Sequence, residues 1–181
     1  MNGSGSMVVF DPDKLTHDIY SAFFQNKTEI SPDKLYLILG SKFEYNDFTH
    51  ANMQPTARLS YFPKSDHHIW GAVSKAVRTP TRWEDGMTRK LTTGATLVGN
   101  KQYGDETTIS YELGYKGQLG ENVSLDIATF YNDYKDLRAV ILNGAILSID
   151  NSAEGESYGG EIATTYATVS YTHLTLPTSP K

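Results

Sequence analysis

The sequence predicts an all-β protein, an antiparallel up-and-down meander of about seven strands. Apolar and polar side chains alternate with a period of two, as in residues 35–45 and 107–119, and this period is that of a strand. Short turn signals separate the alternating segments, including the Pro-containing segments 31–34 and 63–66. Because no segment has the 3.6-residue period of a long helix, a meander of strands is the predicted architecture.

The alternation defines each predicted strand and divides its side chains between two faces. In the second strand Leu35, Leu37 and Leu39 share one face, whereas Lys42 and Glu44 share the other. The remaining strands repeat this division with different residues. The predicted strands are residues 16–30, 35–47, 54–63, 67–79, 107–119, 123–142 and 145–167.

The connections between these strands are predicted to alternate in length. The turns at 31–34, 63–66 and 120–122 are short, whereas 48–53 and 80–106 are longer. Asn143-Gly144 predicts a tight type I′ hairpin between two long strands, because both residues tolerate positive φ. Short and long connections at opposite ends of a sheet are typical of membrane barrels, but the pattern alone also fits a soluble β-fold.

Composition excludes several classes of protein. The 181 residues suffice for one domain, and the net charge of −5 argues against a nucleic-acid partner. The absence of Cys excludes disulfides and Cys-based metal sites. No run approaches the 18 or so apolar residues that a membrane-spanning helix needs. This does not exclude a barrel, whose alternating strands average to a polar composition.

Seven segments, spread in order over about residues 8–168, stand out: DIYSAFFQ (18–25), LYLILGSK (35–42), PTARLSY (55–61), WGAVSKAVRTP (70–80), YELGYK (111–116), FYND (130–133) and YGGE (158–161). Together they resemble the barrel region of TonB-dependent receptors. Each segment alone is a weak signal, and their order and spacing carry the resemblance.

The resemblance implies a transport protein in the outer membrane of a Gram-negative bacterium. Such receptors have a 22-stranded, plugged barrel, so this chain would be an open segment of a transmembrane β-barrel. It implies import of a scarce nutrient, such as a ferric siderophore or a cobalamin-like ligand, without chemistry on the ligand. The expected partners are outer-membrane lipid, a small-molecule ligand, and TonB acting through a plug domain that has no match here.

Strand parity predicts which side chains face lipid and which face the lumen. Lipid-facing residues should be Leu35, Leu37, Leu39, Leu59, Tyr61, Ile109, Tyr111, Leu113, Leu125 and Ile127. Lumen-facing or plug-facing residues should be Lys42, Glu44, Arg58, Arg78, Glu112, Lys116 and Asp126. Lys75 is an exception, because parity sends it to the lipid face; it should therefore lie near the headgroups, unless a bulge shifts the register.

The long 80–106 connection is the predicted ligand loop. Its candidate contacts are Arg82, Trp83, Arg89, Lys90 and Tyr103. We predict no catalytic residues, no cofactor and no metal site. His67 and His68 are adjacent on a strand and point to opposite faces, so they cannot converge on one ion.

The tail from Val169 resembles the translation of a sequencing-adapter oligonucleotide. The predicted organisation is therefore a partial barrel over residues 1–168 and a non-native tail over 169–181. The alternative function is a soluble or surface β-sheet module that binds a ligand through the 80–106 loop. An opposing sheet packed about 10 Å away would indicate that module, and an uncovered apolar face would indicate lipid.

Overall fold

The computed structural model describes residues 8–168, which form one curled, open, ten-stranded sheet and one turn of helix. The elements are β1 (Val8–Phe10), β2 (Ile19–Ser31), β3 (Leu35–Asn46), β4 (His50–Lys64), β5 (His67–Arg78), α1 (Arg82–Gly86), β6 (Met87–Lys90), β7 (Thr96–Val98), β8 (Glu106–Gln118), β9 (Val123–Asn143) and β10 (Ile146–Tyr166). The predicted non-native tail lies outside the described residues.

The predicted antiparallel meander is confirmed. The strand order is β1-β6-β7-β10-β9-β8-β5-β4-β3-β2, so the seven long strands lie in chain order and each pairs antiparallel with the next. The predicted number of seven strands is too low. The additional strands β1, β6 and β7 have only three or four residues, and such short segments cannot display a period of two.

The short strands extend the sheet beyond β10. β7 pairs with the beginning of β10 in parallel, with Thr96 opposite Ile146. β6 pairs antiparallel with β7, and β1 pairs antiparallel with β6. The predicted loop 80–106 is therefore a folded segment that continues the sheet.

Two further predicted connections differ from the structure. The predicted connection 48–53 is much shorter, because β4 begins at His50, which pairs with Asn46. The Asn46 side chain stabilises this tight turn by accepting hydrogen bonds from the backbone N–H groups of Phe48 and Thr49, both at 2.9 Å. At this end of the sheet, the segments that extend furthest are therefore the 80–106 segment and the β9–β10 hairpin.

The β9–β10 hairpin forms where predicted, but its two central residues are Gly144 and Ala145. Asn143 pairs with Ile146 and therefore belongs to the ladder. Gly144 has φ +63°, and Ala145 is not among the residues with positive φ. Glycine at the first central position is typical of a type II′ turn and not of the predicted Asn-Gly type I′ turn.

The sheet parts between β4 and β5 at one end. The β4–β5 ladder ends where Thr56 pairs with Ser74. The next residue of β4 towards that end is Pro55, which has no N–H to donate. Beyond this point, residues 75–78 of β5 pair with β8 alone.

Candidate functional site

The register places all seven predicted lumen-facing residues on one face of the sheet. Directly opposed residues of antiparallel strands share a face, and Arg58 is opposite Ala72, which is opposite Glu112. The same ladder relates Lys116 to Asp126 and Arg78 to Glu106. We call this face the polar face.

Ion pairs follow the strands on the polar face. Arg58 lies 3.5 Å from Glu112, Lys116 lies 3.5 Å from Asp126, and Lys42 lies 2.6 Å from Glu44. The first two pairs are largely exposed and therefore contribute little to stability. Arg58 also lies over the Trp70 ring, 4.4 Å from its centre.

The opposite face, here called the apolar face, carries all ten of the predicted lipid-facing residues. The ladders join Leu37 to Leu59 and Tyr115 to Ile127 on this face. Several of its residues are widely exposed, such as Leu113 at 59%, whereas Asn46 and Ser60 on the polar face are buried. At these positions the pattern is the reverse of that in a water-soluble sheet.

The polarity of the apolar face changes abruptly along β8, β9 and β10. Tyr111, Tyr131 and Tyr158 lie side by side in one row, with the first two ring centres 6.2 Å apart. In the next row, Asp133 and Glu156 bring carboxylates to the same face. Tyrosine rows next to charged rows are typical of the boundary between apolar membrane and water.

A dense ion cluster lies beyond this boundary, where β5 ends and β8 begins. The Arg78 guanidinium donates to Glu106, with Nε 2.8 Å from Oε2, and to Glu84, with Nη2 2.7 Å from Oε1. Tyr103 donates to Glu106 at 2.5 Å. The Arg138 side chain lies 3.6 Å from Glu84, and its backbone N–H donates to Glu106 at 3.1 Å.

The environment of the cluster keeps both carboxylates ionised. The hydrogen bond from Arg78 is the main reason that the pKa of Glu106 falls to about 2. Burial alone would raise the pKa of Glu84, but hydrogen bonds from Arg78 and Thr81 outweigh it and lower that pKa. The pKa of the Tyr103 hydroxyl is raised, mainly by burial and secondly by its hydrogen bond to Glu106.

The cluster attaches the 80–106 segment to the sheet. Glu84 lies in α1, where its side chain is 2% exposed and accepts bonds from the Thr81 N–H and hydroxyl, both at 2.8 Å. This Thr-x-x-Glu pattern is a capping-box signal, which was not among the predicted features. Two guanidinium groups balance two carboxylates in the cluster, so it is suited to fastening this segment and not to capturing an anion.

A second attachment joins the segment to the β9–β10 hairpin. Asn151 accepts a 2.7 Å bond from the Gly104 N–H and donates a 2.6 Å bond to the Asp136 carbonyl. An open polar cavity of about 410 Å³ lies beside the ion cluster, lined by Arg78, Glu84, Glu106, Leu137 and Arg138.

The five predicted ligand-loop residues have different environments. Tyr103 is 5% exposed and belongs to the ion cluster, and Arg82 donates to the Asp13 carbonyl at 2.7 Å and lies over the Phe10 ring. Trp83 is 42% exposed. Arg89 and Lys90 lie on β6, and each has at least one interaction partner. Trp83 therefore offers the exposed aromatic ring among these side chains.

The His pair has separate, local roles. The His67 Nδ1 lies 2.7 Å from the Tyr115 hydroxyl, and the His68 ring stacks on Phe62 with centres 4.4 Å apart. Within residues 8–168, no three His, Asp or Glu side chains are grouped closely enough to hold a metal ion. In the same residues, no helix is long and apolar enough to cross a membrane.

Comparisons with known proteins identify relatives of this architecture. A family model described as "TonB dependent receptor-like, beta-barrel" matches residues 2–179. This is a family of receptors and not a class of enzyme. A comparison with curated protein sequences gives no match.

Three solved structures illustrate the likeness in fold. The siderophore receptor PirA from Acinetobacter baumannii is 20% identical, with a TM-score of 0.67, and the match covers 82% of this chain and 25% of that one. A mutant of the ferric enterobactin receptor PfeA from Pseudomonas aeruginosa, in complex with enterobactin, is 19% identical with a TM-score of 0.68, and the match covers 81% of this chain and 24% of that one. The FrpB iron transporter from Neisseria meningitidis is 16% identical with a TM-score of 0.66, and the match covers 84% of this chain and 24% of that one. The chain therefore spans about a quarter of the length of each.

Proposed function

We propose that this chain, which belongs to the family of TonB dependent receptor-like β-barrels, forms part of the wall of an outer-membrane transporter. The transporter would import iron as a ferric siderophore. The protein would reside in the outer membrane of a Gram-negative bacterium. The wall would separate lipid from a water-filled lumen, and transport would involve no chemical change to the ligand.

The inverted burial pattern carries this proposal. On β3 and β4, the apolar-face residues Leu39, Phe43 and Leu59 are 46–49% exposed, whereas Asn46 and Ser60 on the polar face are buried. In water, such exposure of a large apolar face is unfavourable, because each exposed side chain forgoes the free energy of burial. Lipid removes that cost and leaves the polar face for the lumen.

The lumen-facing assignment for the seven charged residues follows from the same division. Lys42, Glu44, Arg58, Glu112, Lys116 and Asp126 would line water or contact a plug domain, through which TonB would act. Arg78 would lie at the outer rim, where its ion cluster holds the 80–106 segment. Trp83 would present an aromatic ring to a ligand entering from outside.

The proposed substrate class rests on three proteins of similar fold: a siderophore receptor, a ferric enterobactin receptor and an iron transporter. A cobalamin-like ligand is the competing choice, and both can be supplied in one growth experiment.

Growth under iron limitation tests the proposal. The full-length receptor that contains this chain as part of its barrel would be expressed in Gram-negative cells that lack their own siderophore receptors. We expect the product in the outer-membrane fraction and growth on at least one ferric siderophore, abolished when TonB is deleted. Growth dependent on added cobalamin alone would replace the substrate, and a product found only in the soluble fraction would contradict the membrane assignment.

A further inference from the structure

We propose that the apolar face carries a specific binding site for one lipid whose phosphate-bearing headgroup has a net negative charge, with that headgroup at Lys75 and an acyl chain in the adjoining groove. This inference rests on the proposed membrane location and goes beyond it. A barrel wall requires contact with lipid in general, whereas this site selects the lipid by charge and holds it at one position.

The groove is a measurable depression on the apolar face. It has a volume of about 640 Å³ and is lined almost wholly by apolar atoms. Short side chains at Ser41, Pro55 and Ala57 form its floor, because they project little from the middle strands. Bulkier residues such as Phe43 and Tyr111 border it. A linear hydrocarbon chain fits such a channel better than a flat surface.

The groove coincides with the place where the sheet parts. The β4–β5 ladder ends at Thr56 and Ser74, next to Pro55, and Lys75 is the first β5 residue beyond that end. Lys75 lines the groove on the same face as Val73 and Ile109. The predicted exception to the face division is therefore real, and no bulge within the β5–β8 ladder removes it.

Lys75 is a cation without a counter-ion on this face. It is exposed, and it forms no salt bridge with the residues described here. The carboxylates in its row, Asp133 and Glu156, lie two and three strands away, which at about 4.8 Å per strand is roughly 10 and 14 Å. A phosphate would supply the missing charge at hydrogen-bonding distance.

The depth of Lys75 matches that of a lipid headgroup. Its row is the first row on this face to contain carboxylates, and the adjacent row holds Tyr111, Tyr131 and Tyr158. Tyrosine rings concentrate at the level of headgroups. A lipid anchored at Lys75 would therefore extend its chain from this boundary along the groove and towards the membrane interior.

Lipid retention by the full chain, measured by native mass spectrometry from detergent micelles, tests the site. The probes are phosphatidylglycerol and phosphatidylcholine with the same acyl chains, which differ in net charge. We expect one phosphatidylglycerol to be retained preferentially, and Lys75→Ala to reduce that preference about fivefold. Lys75→Arg should keep it, and Lys116→Ala, which removes an exposed lysine from the polar face, should leave it unchanged.

A second variant tests the groove separately from the charge. Ala57→Phe fills the floor and should reduce retention of both lipids while Lys75 remains. Equal retention of the two lipids by the unaltered chain, equal losses in Lys75→Ala and Lys116→Ala, or occupation of the groove by a second copy of the chain would each overturn the site. If the chain bound neither micelles nor bilayers, both the lipid site and the proposed function would be contradicted. Binding to bilayers without preference would overturn the lipid site alone.

Discussion

Removing the Arg78 side chain should release the 80–106 segment from the sheet. The guanidinium donates to Glu106 and Glu84 and lies 3.2 Å from the Tyr103 hydroxyl, so three side chains lose one partner. Arg78→Met keeps much of the aliphatic stem and removes only the charged fork. The variant therefore tests the ion cluster with little change in packing.

The magnitude follows from the burial of the two carboxylates. The side chain of Glu84 is 2% exposed and that of Glu106 is 13% exposed, whereas that of Arg78 is 44% exposed. Breaking a buried pair and leaving its partner charged costs about 3–5 kcal/mol. Because Arg78 itself is partly solvated, we expect about 3 kcal/mol, which corresponds to a factor of about 150 in an opening equilibrium.

Hydrogen exchange of the chain in micelles, followed by mass spectrometry, measures that opening. We expect amides of α1, β6 and β7 to exchange about 150-fold faster in Arg78→Met, with little change in β3 and β4. Arg58→Met is the matched comparison. Its single ion pair, with Glu112, is 3.5 Å long and about 40% exposed on both sides, so its effect should stay below about fivefold.

Two outcomes would refute this reasoning. A rise in exchange of less than fivefold in Arg78→Met would mean that the cluster does not hold the segment. Equal effects of Arg78→Met and Arg58→Met would mean that any arginine on the polar face contributes as much. Acidification to about pH 4 should weaken the effect of Arg78→Met, because the carboxylates left without their partner can then take up protons.

Two further predictions concern acid and packing. The pKa of Glu106 in the folded chain is about 2, below its ordinary 4.5, so the stability it contributes is present above about pH 5 and is lost as pH falls towards 2. The loss should reach about 3 kcal/mol in urea unfolding, and Glu106→Gln should flatten this pH dependence. Separately, Gly114→Ala should cost about 1–3 kcal/mol, because its methyl group would enter the Trp70 ring. Gly71→Ala meets only ordinary contacts, at 3.7 and 3.8 Å, and should cost far less, whereas adding Trp70→Ala to Gly114→Ala should relieve the clash.

The long strands and their two faces were predictable, because they depend on a local pattern. Leu35, Leu37 and Leu39 alternate with residues of the other face, and a slip of one residue would exchange the faces entirely. The period of two therefore specifies the register wherever one face differs from the other. The same parity correctly placed Lys75 with Val73 on the apolar face.

The rest depends on contacts between distant residues, which a single sequence does not reveal. Arg78 and Glu106 are 28 residues apart, and only the folding of the 80–106 segment brings Glu84 to both. The beginning of β4 was missed because Asn46 forms a turn through its side chain, which allows pairing to start at His50. Of these features, only the Thr81-x-x-Glu84 capping signal could have been recognised from the sequence, although it was not among the predictions.

Single-cysteine labelling in lipid vesicles tests the division between the apolar and polar faces most directly. The chain has no native Cys, so each variant carries one thiol. Leu37→Cys and Leu113→Cys report the apolar face, and Ser110→Cys and Asn132→Cys report the polar face. We predict that a charged maleimide labels only the polar-face thiols, and that nitroxide-bearing lipids quench a fluorophore only on the apolar-face thiols. Rapid labelling of all four thiols by the charged reagent, without quenching by lipid, would contradict the barrel-wall account and favour a soluble ligand-binding sheet.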